Sequence, residues 1–171
     1  MAAVLERRNI RDFDWLVGIL AVAIVSFGVW QIYNAQPTEG YWSKQIVGLF
    51  IALVAMTIVS VTDYHRIIDA APVFYALGLI LLILVLTPLG VKVNGQQAWL
   101  KLPIIGQFQP SEFVKITVIL MLAKYFGGRK DGTLKLKEFL VGVGILAAPI
   151  VLIMFEPDAG QALTYFPILA V

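Results

Sequence analysis

The sequence predicts an all-α fold, a polytopic bundle of transmembrane helices, and three observations lead there. Of its 171 residues, 60% are hydrophobic and only 14% charged, whereas soluble domains carry about 25% charged residues. Mean hydropathy is +0.86. Apolar runs of membrane-crossing length recur along the chain, and lysine and arginine collect in alternate connections between them. A net charge of +2 gives no footing for a nucleic-acid partner, which would require a basic surface. The absence of cysteine excludes disulfides and thiolate metal sites.

The elements follow in order. The opening MAAVLERRNIRDFDW places basic residues before an apolar run that lacks a small-residue cleavage site and exceeds a signal-peptide core. It reads as a retained helix. Crossing about 30 Å of hydrocarbon takes roughly 20 mainly apolar residues. Spans are therefore expected at 15–33, 45–61, 72–89, 110–126 and 139–155, the third and fourth making up their length by tilt or snorkelling ends. A sixth run covers 162–171 and is too short to cross as a helix. The expectation is an N-terminal portion of a single integral-membrane domain, about five and a half spans, cut inside the sixth.

With the N-terminus in the cytoplasm, the inner connections carry Arg7, Arg8, Arg11, Arg66, Lys124, Arg129, Lys130, Lys135 and Lys137. The outer ones carry Lys44, Lys92 and Lys101. Nine against three fixes the orientation by the positive-inside rule. His65, in the inner loop TDYHRIIDA, reads as a solvated loop residue because no second ligand sits near it. The basic turn GGRKDGTLKLKE follows the fourth span. The outer loop 90–109 carries Trp99, Leu100, Leu102, Ile104, Ile105 and Phe108, so it is expected to lie in the interface or fold back on the bundle.

Two clusters of ionisable residues interrupt the apolar pattern. In GQFQPSEFVK, Pro110 suits the first turn of a helix, and Glu112 falls where the helix dipole favours an anion. Lys115, three residues on, shares its face, or could snorkel outward to the headgroups. In FEPDAGQAL, Pro157 ends the fifth helix and Asp158 stands at an N-cap. Glu156 reads as an interfacial carboxylate, Pro149 as a kink in the fifth helix, and Gly160 as a point of close packing. Both clusters belong to helix N-termini on the outer side, so Glu112, Lys115 and Asp158 share a similar depth. Ionisable groups there mark a pathway or site, and helix N-termini favour anions. The pattern suits an amphiphile with an anionic head, with the carboxylates orienting an acceptor hydroxyl or holding a divalent metal.

The stretches DFDWL, YWSKQ, SVTDYHRIIDAAPVFY, NGQQAWL, FQPSEFVK and EPDAGQAL together resemble the SEDS family (shape, elongation, division and sporulation), in its RodA-like elongation branch. The resemblance covers essentially the whole chain but only the first half of a ten-helix fold. QPSE with a lysine three residues on, followed by a distant PDxG, is a specific combination. Two positions depart from the family pattern. Ala98 stands where an arginine usually precedes the loop tryptophan, which weakens any phosphate grip by this loop. Gln161 replaces the threonine of PDxGT, which leaves the hydrogen-bond partner of Asp158 open.

The resemblance implies a peptidoglycan glycosyltransferase that polymerises lipid II on the outer face of the bacterial cytoplasmic membrane during elongation and shape maintenance. Its implied partner is a class B penicillin-binding protein. Glu112, Lys115 and Asp158 would line the central cavity, with Gln109, Ser111, Trp99 and Glu156 as secondary candidates. The family's catalytic aspartate would fall beyond Val171, so this chain alone is expected to be inactive. Two other functions fit intramembrane charges: a transporter that flips the lipid-linked precursor, and a non-catalytic scaffold that docks a partner's transmembrane helix.

Overall fold

The computed structural model describes residues 14–103, 106–128 and 135–169. Most of the basic N-terminal segment, residues 129–134 and the end of the last apolar run lie outside them. The described residues form two compact units, divided at Asp63.

The first unit is a helical hairpin, α1 (Trp15–Ala35) and α2 (Tyr41–Val61). Asp14 caps α1, its Oδ1 accepting from the Leu16 and Val17 amides at 3.1 and 3.3 Å. The connection is pinned by Trp42, whose Nε1 donates to the Pro37 carbonyl at 3.3 Å and whose ring meets Tyr33 edge-on at 5.7 Å. Neither helix has one apolar stripe: both are apolar all round, as a lipid-facing helix is. The hydroxyls of Thr57, Ser60 and Thr62 donate to carbonyls four residues back, at 2.6 to 2.8 Å. An apolar solvent leaves polar groups few other partners.

The second unit holds α3 (Tyr64–Asp69), α4 (Ala71–Val85), β1 (Gly90–Val93), β2 (Gln96–Leu102), β3 (Gly106–Phe108), α5 (Pro110–Gly127), α6 (Leu136–Phe155), α7 (Ala159–Leu163) and α8 (Phe166–Leu169). Its core joins Leu82 of α4, Val114, Val118 and Leu122 of α5, Leu146 and Ile153 of α6, Ala162 of α7 and Tyr165. The helices α4 and α5 approach closely at Gly78, where an added Cβ would lie 3.0 Å from Val114 Cγ2. Small residues permit such contact where no hydrophobic force drives helices together. Lys124 closes α3, its Nζ 2.7 Å from the Asp69 carbonyl and 3.3 Å from Asp69 Oδ1. A cation is well placed at a helix C-terminus.

Pro149 lies inside α6 and is fully buried. Lacking an N–H, it leaves the carbonyl of Ile145 without its helical donor. Tyr75 of α4 supplies one, its hydroxyl donating to that carbonyl at 2.7 Å.

Three elements differ from the sequence reading. His65 lies in the short helix α3 rather than in a loop, its ring 3.9 Å from that of Tyr64. The loop 90–109 folds back on the bundle as expected, but as a three-stranded antiparallel sheet in the order β1-β2-β3. Its first turn is Asn94-Gly95, at φ 51 and 87, the left-handed pair that a two-residue hairpin demands. Ala98 and Leu100 are buried and alternate with Trp99 and Lys101, so β2 presents one face inward. Gln97 ties the sheet to the end of α4, its Nε2 donating to the carbonyls of Val85 and Thr87 at 2.9 and 2.8 Å. Finally, the run expected as a truncated sixth span forms two short helices, α7 and α8, interrupted at Thr164 and Tyr165.

Candidate functional site

The start of α5 meets the turn between α6 and α7. Pro110 occupies the first turn of α5, and Glu112 follows it there. Lys115 reaches back one turn, as side chains that lean toward the helix N-terminus do, and its Nζ lies 2.9 Å from Glu112 Oε2. Lys115 keeps only 22% of its side-chain surface exposed, against 54% for Glu112. The lysine is therefore drawn into the protein and not extended toward solvent.

On the facing turn, Asp158 caps α7, its Oδ1 accepting from the Gln161 amide at 3.0 Å. Its Oδ2 accepts from Gln109 Nε2, at the N-cap of α5, at 3.2 Å. Gln161 then extends its own side chain across to α5, and Nε2 donates to Glu112 Oε1. A continuous chain of polar contacts thus runs Gln109, Asp158, Gln161, Glu112, Lys115. Beneath it the buried Tyr165 hydroxyl donates to the Ser111 carbonyl at 2.7 Å, a second strut between the two segments.

Four buried oxygens nearby have no hydrogen-bond partner: Ser111 Oγ, both carboxylate oxygens of Glu156, and Gln161 Oε1. Glu156 is wholly enclosed, so its ionised form would have neither water nor donor. Burial first, and the neighbouring Asp158 carboxylate second, push its acid up to about 8. Both effects disfavour a second negative charge in this turn.

Of the residues singled out from sequence, the structure gathers Gln109, Glu112, Lys115 and Asp158 into one hydrogen-bonded cluster, with Ser111 alongside. Glu156 stands in the same turn as Asp158 but is buried rather than interfacial, and its carboxylate makes no hydrogen bond. Trp99 lies on β2, paired across the sheet with Val91, and takes no part in the polar chain. Ala98 is fully buried on the inward face of the sheet and offers nothing to an anion. The sequence reading left the bonding around Gln161 open and passed over Tyr165. A signal for the first existed: Asp158-Ala159-Gly160-Gln161 has the spacing of a capping box. Among the described residues, no three acidic or imidazole groups converge on a possible metal ion.

Residues 11–171 match the FtsW/RodA/SpoVE family, described as cell cycle proteins. The chain belongs to that family. Like its relatives, this FtsW/RodA/SpoVE member is a multi-pass membrane protein: α1, α2 and α6 are long and apolar enough to cross a bilayer. It is 37% identical to the peptidoglycan glycosyltransferase RodA of Treponema pallidum over 172 residues, covering 96% of this chain and 39% of that protein. It superposes on the crystal structure of the Thermus thermophilus rod shape determining protein RodA with a TM-score of 0.77 and 29% identity, over 90% of this chain and 50% of that one. A similar match, at TM-score 0.77 and 30% identity over 90% of this chain and 44% of the other, is to a component of a peptidoglycan synthase complex that coordinates polymerization and crosslinking. The chain thus spans half or less of the length of these relatives.

Proposed function

We propose that this chain supplies the N-terminal part of a peptidoglycan glycosyltransferase that polymerises lipid II on the outer face of the bacterial cytoplasmic membrane. The carrying observation is that Lys115, Glu112 and Asp158 are joined in one polar chain at the start of α5, within a family whose relatives bear that activity in their names. The nine-to-three distribution of basic residues supports a cytoplasmic N-terminus, which puts the start of α5 on the outer side.

Glycan extension deprotonates an acceptor hydroxyl while a lipid diphosphate departs, so negative charge grows on the leaving group. Lys115 is the one cation in the cluster, and it sits one turn inside the N-terminus of α5, where the backbone dipole also favours an anion. Its role is to bind the diphosphate and stabilise the charge that develops there. Glu112 holds the ammonium in place between turnovers. Asp158, with both oxygens hydrogen-bonded, sets the turn that carries Gln161. The acceptor's base comes from the aspartate that the family resemblance places beyond Val171. The working protein pairs with a transpeptidase of the class B penicillin-binding type, a reading supported by the synthase-complex relative.

The test uses the full-length protein in detergent with purified lipid II. Lys115→Ala is expected to lower polymerisation at least 100-fold, the scale of losing one preorganised charge-stabilising donor, and Asp158→Ala to lower it severely. Variants that fold and polymerise at the wild-type rate would remove these residues from the mechanism. A wild-type protein that makes no polymer without a second compartment would point to precursor transport instead.

A further inference from the structure

Glu112 has two partners of different kinds, and Gln161 is the unexplained one. Lys115 Nζ lies 2.9 Å from Oε2, and Gln161 Nε2 donates to Oε1. Its amide can face only this way, because the flipped amide would set a carbonyl oxygen against a carboxylate oxygen. That orientation has a consequence, since Gln161 Oε1 is left buried without a donor. The backbone of Gln161 is fixed independently by Asp158 Oδ1 at 3.0 Å. Asp158 is in turn held by Gln109 at 3.2 Å. The side chain therefore springs from an anchored turn and ends on Glu112, at the expense of its own carbonyl.

Resting on the function proposed above, we infer that Gln161 is a positioning residue that holds Glu112 when Lys115 turns to an anionic ligand. An ammonium paired with a carboxylate must be drawn away before it can serve a diphosphate. Were Lys115 the sole donor to Glu112, each such exchange would leave the half-exposed carboxylate with no protein partner to hold it in place. With Gln161 on the second oxygen, Glu112 keeps a hydrogen bond in both states and stays where it is. The lysine's release then costs less, and the affinity for the anion rises accordingly. Without Gln161, Glu112 is free to close on Lys115 with both oxygens and compete more strongly for it.

The experiment measures binding of a short-chain prenyl diphosphate to the full-length protein by titration calorimetry, for wild type, Lys115→Met, Gln161→Met, Glu112→Gln and the double variant. Methionine keeps the length of glutamine and removes its amide. Lys115→Met is expected to lose binding. Gln161→Met should weaken it about tenfold, in line with loss of one hydrogen bond to a charged group. Gln161→Asn, with the amide one methylene short, should weaken it similarly, which guards against a methionine variant that folds poorly. In the Glu112→Gln background, Gln161→Met should have no further effect, because the competing carboxylate is gone. A Gln161→Met protein that binds as wild type while Lys115→Met loses binding overturns the inference alone. So does an undiminished Gln161→Met effect in the Glu112→Gln background, which would mark a purely structural role. Wild-type binding by Lys115→Met overturns the function reading and the inference with it.

Discussion

Glu156 is the residue whose chemistry departs furthest from its appearance in the sequence. Fully enclosed and without a donor, its carboxyl is pushed from 4.5 to about 8, by burial first and Asp158 second. A raised acid binds its proton more tightly in the folded state than in the unfolded one. The stability it leaves intact below about pH 4.5 is therefore lost progressively as pH climbs toward 8. Glu156→Gln cannot ionise, so its thermal unfolding in detergent should be nearly flat across that window and should exceed wild type at the alkaline end. Parallel curves for the two proteins would mean that Glu156 is charged when folded. The residue scale was legible where local rules apply: the Glu112–Lys115 spacing and the Asp158 cap both follow from helix geometry. What local rules do not contain is the depth of Glu156, the reach of Gln161 toward Glu112, 49 residues away, or that of Tyr165 toward Ser111, 54 residues away.

Among the elements, α6 shows how a buried proline is accommodated. The Tyr75 hydroxyl answers the carbonyl that Pro149 leaves open. Tyr75→Phe should destabilise the protein by about 1 to 3 kcal/mol, the effect of a buried acceptor left alone. In a Pro149→Ala background the helix regains its own donor, so the same substitution should cost clearly less. Equal costs in a denaturation cycle would separate the two residues. The helices α1, α2, α5 and α6 were legible because length and apolarity suffice to mark them. The strands were not, since the high apolar content of 90–109 masks the period-two pattern around Ala98 and Leu100. The Asn94-Gly95 pair was the available turn signal. The run after Asp158 was misleading in another way. Its composition is that of a span, yet the chain turns at Thr164 and Tyr165, where Tyr165 is drawn down to the Ser111 carbonyl.

At the scale of the molecule, membership of the FtsW/RodA/SpoVE family and the charge asymmetry make a topology prediction. These 171 residues contain no cysteine, so a single thiol introduced among them has no competitor within this stretch. Lys92→Cys, on the exposed edge of β1, should react with a membrane-impermeant maleimide in intact cells. Lys137→Cys, at the exposed start of α6, should react only after permeabilisation. The reverse pattern would invert the orientation and remove the cluster at the start of α5 from the outer face. The proline joint of α6 bears on that same cluster. Phe155 lies six residues past Pro149, about 9 Å along the axis, so a bend of about ten degrees would swing the helix end by roughly 1.5 Å. Such a displacement is enough to part Asp158 from Gln109, or Gln161 from Glu112. The phenol of Tyr75, far from any charged group of the cluster in sequence, thereby acts as a set-screw on a lever, and the alignment of the whole ionic array depends on how firmly it is turned.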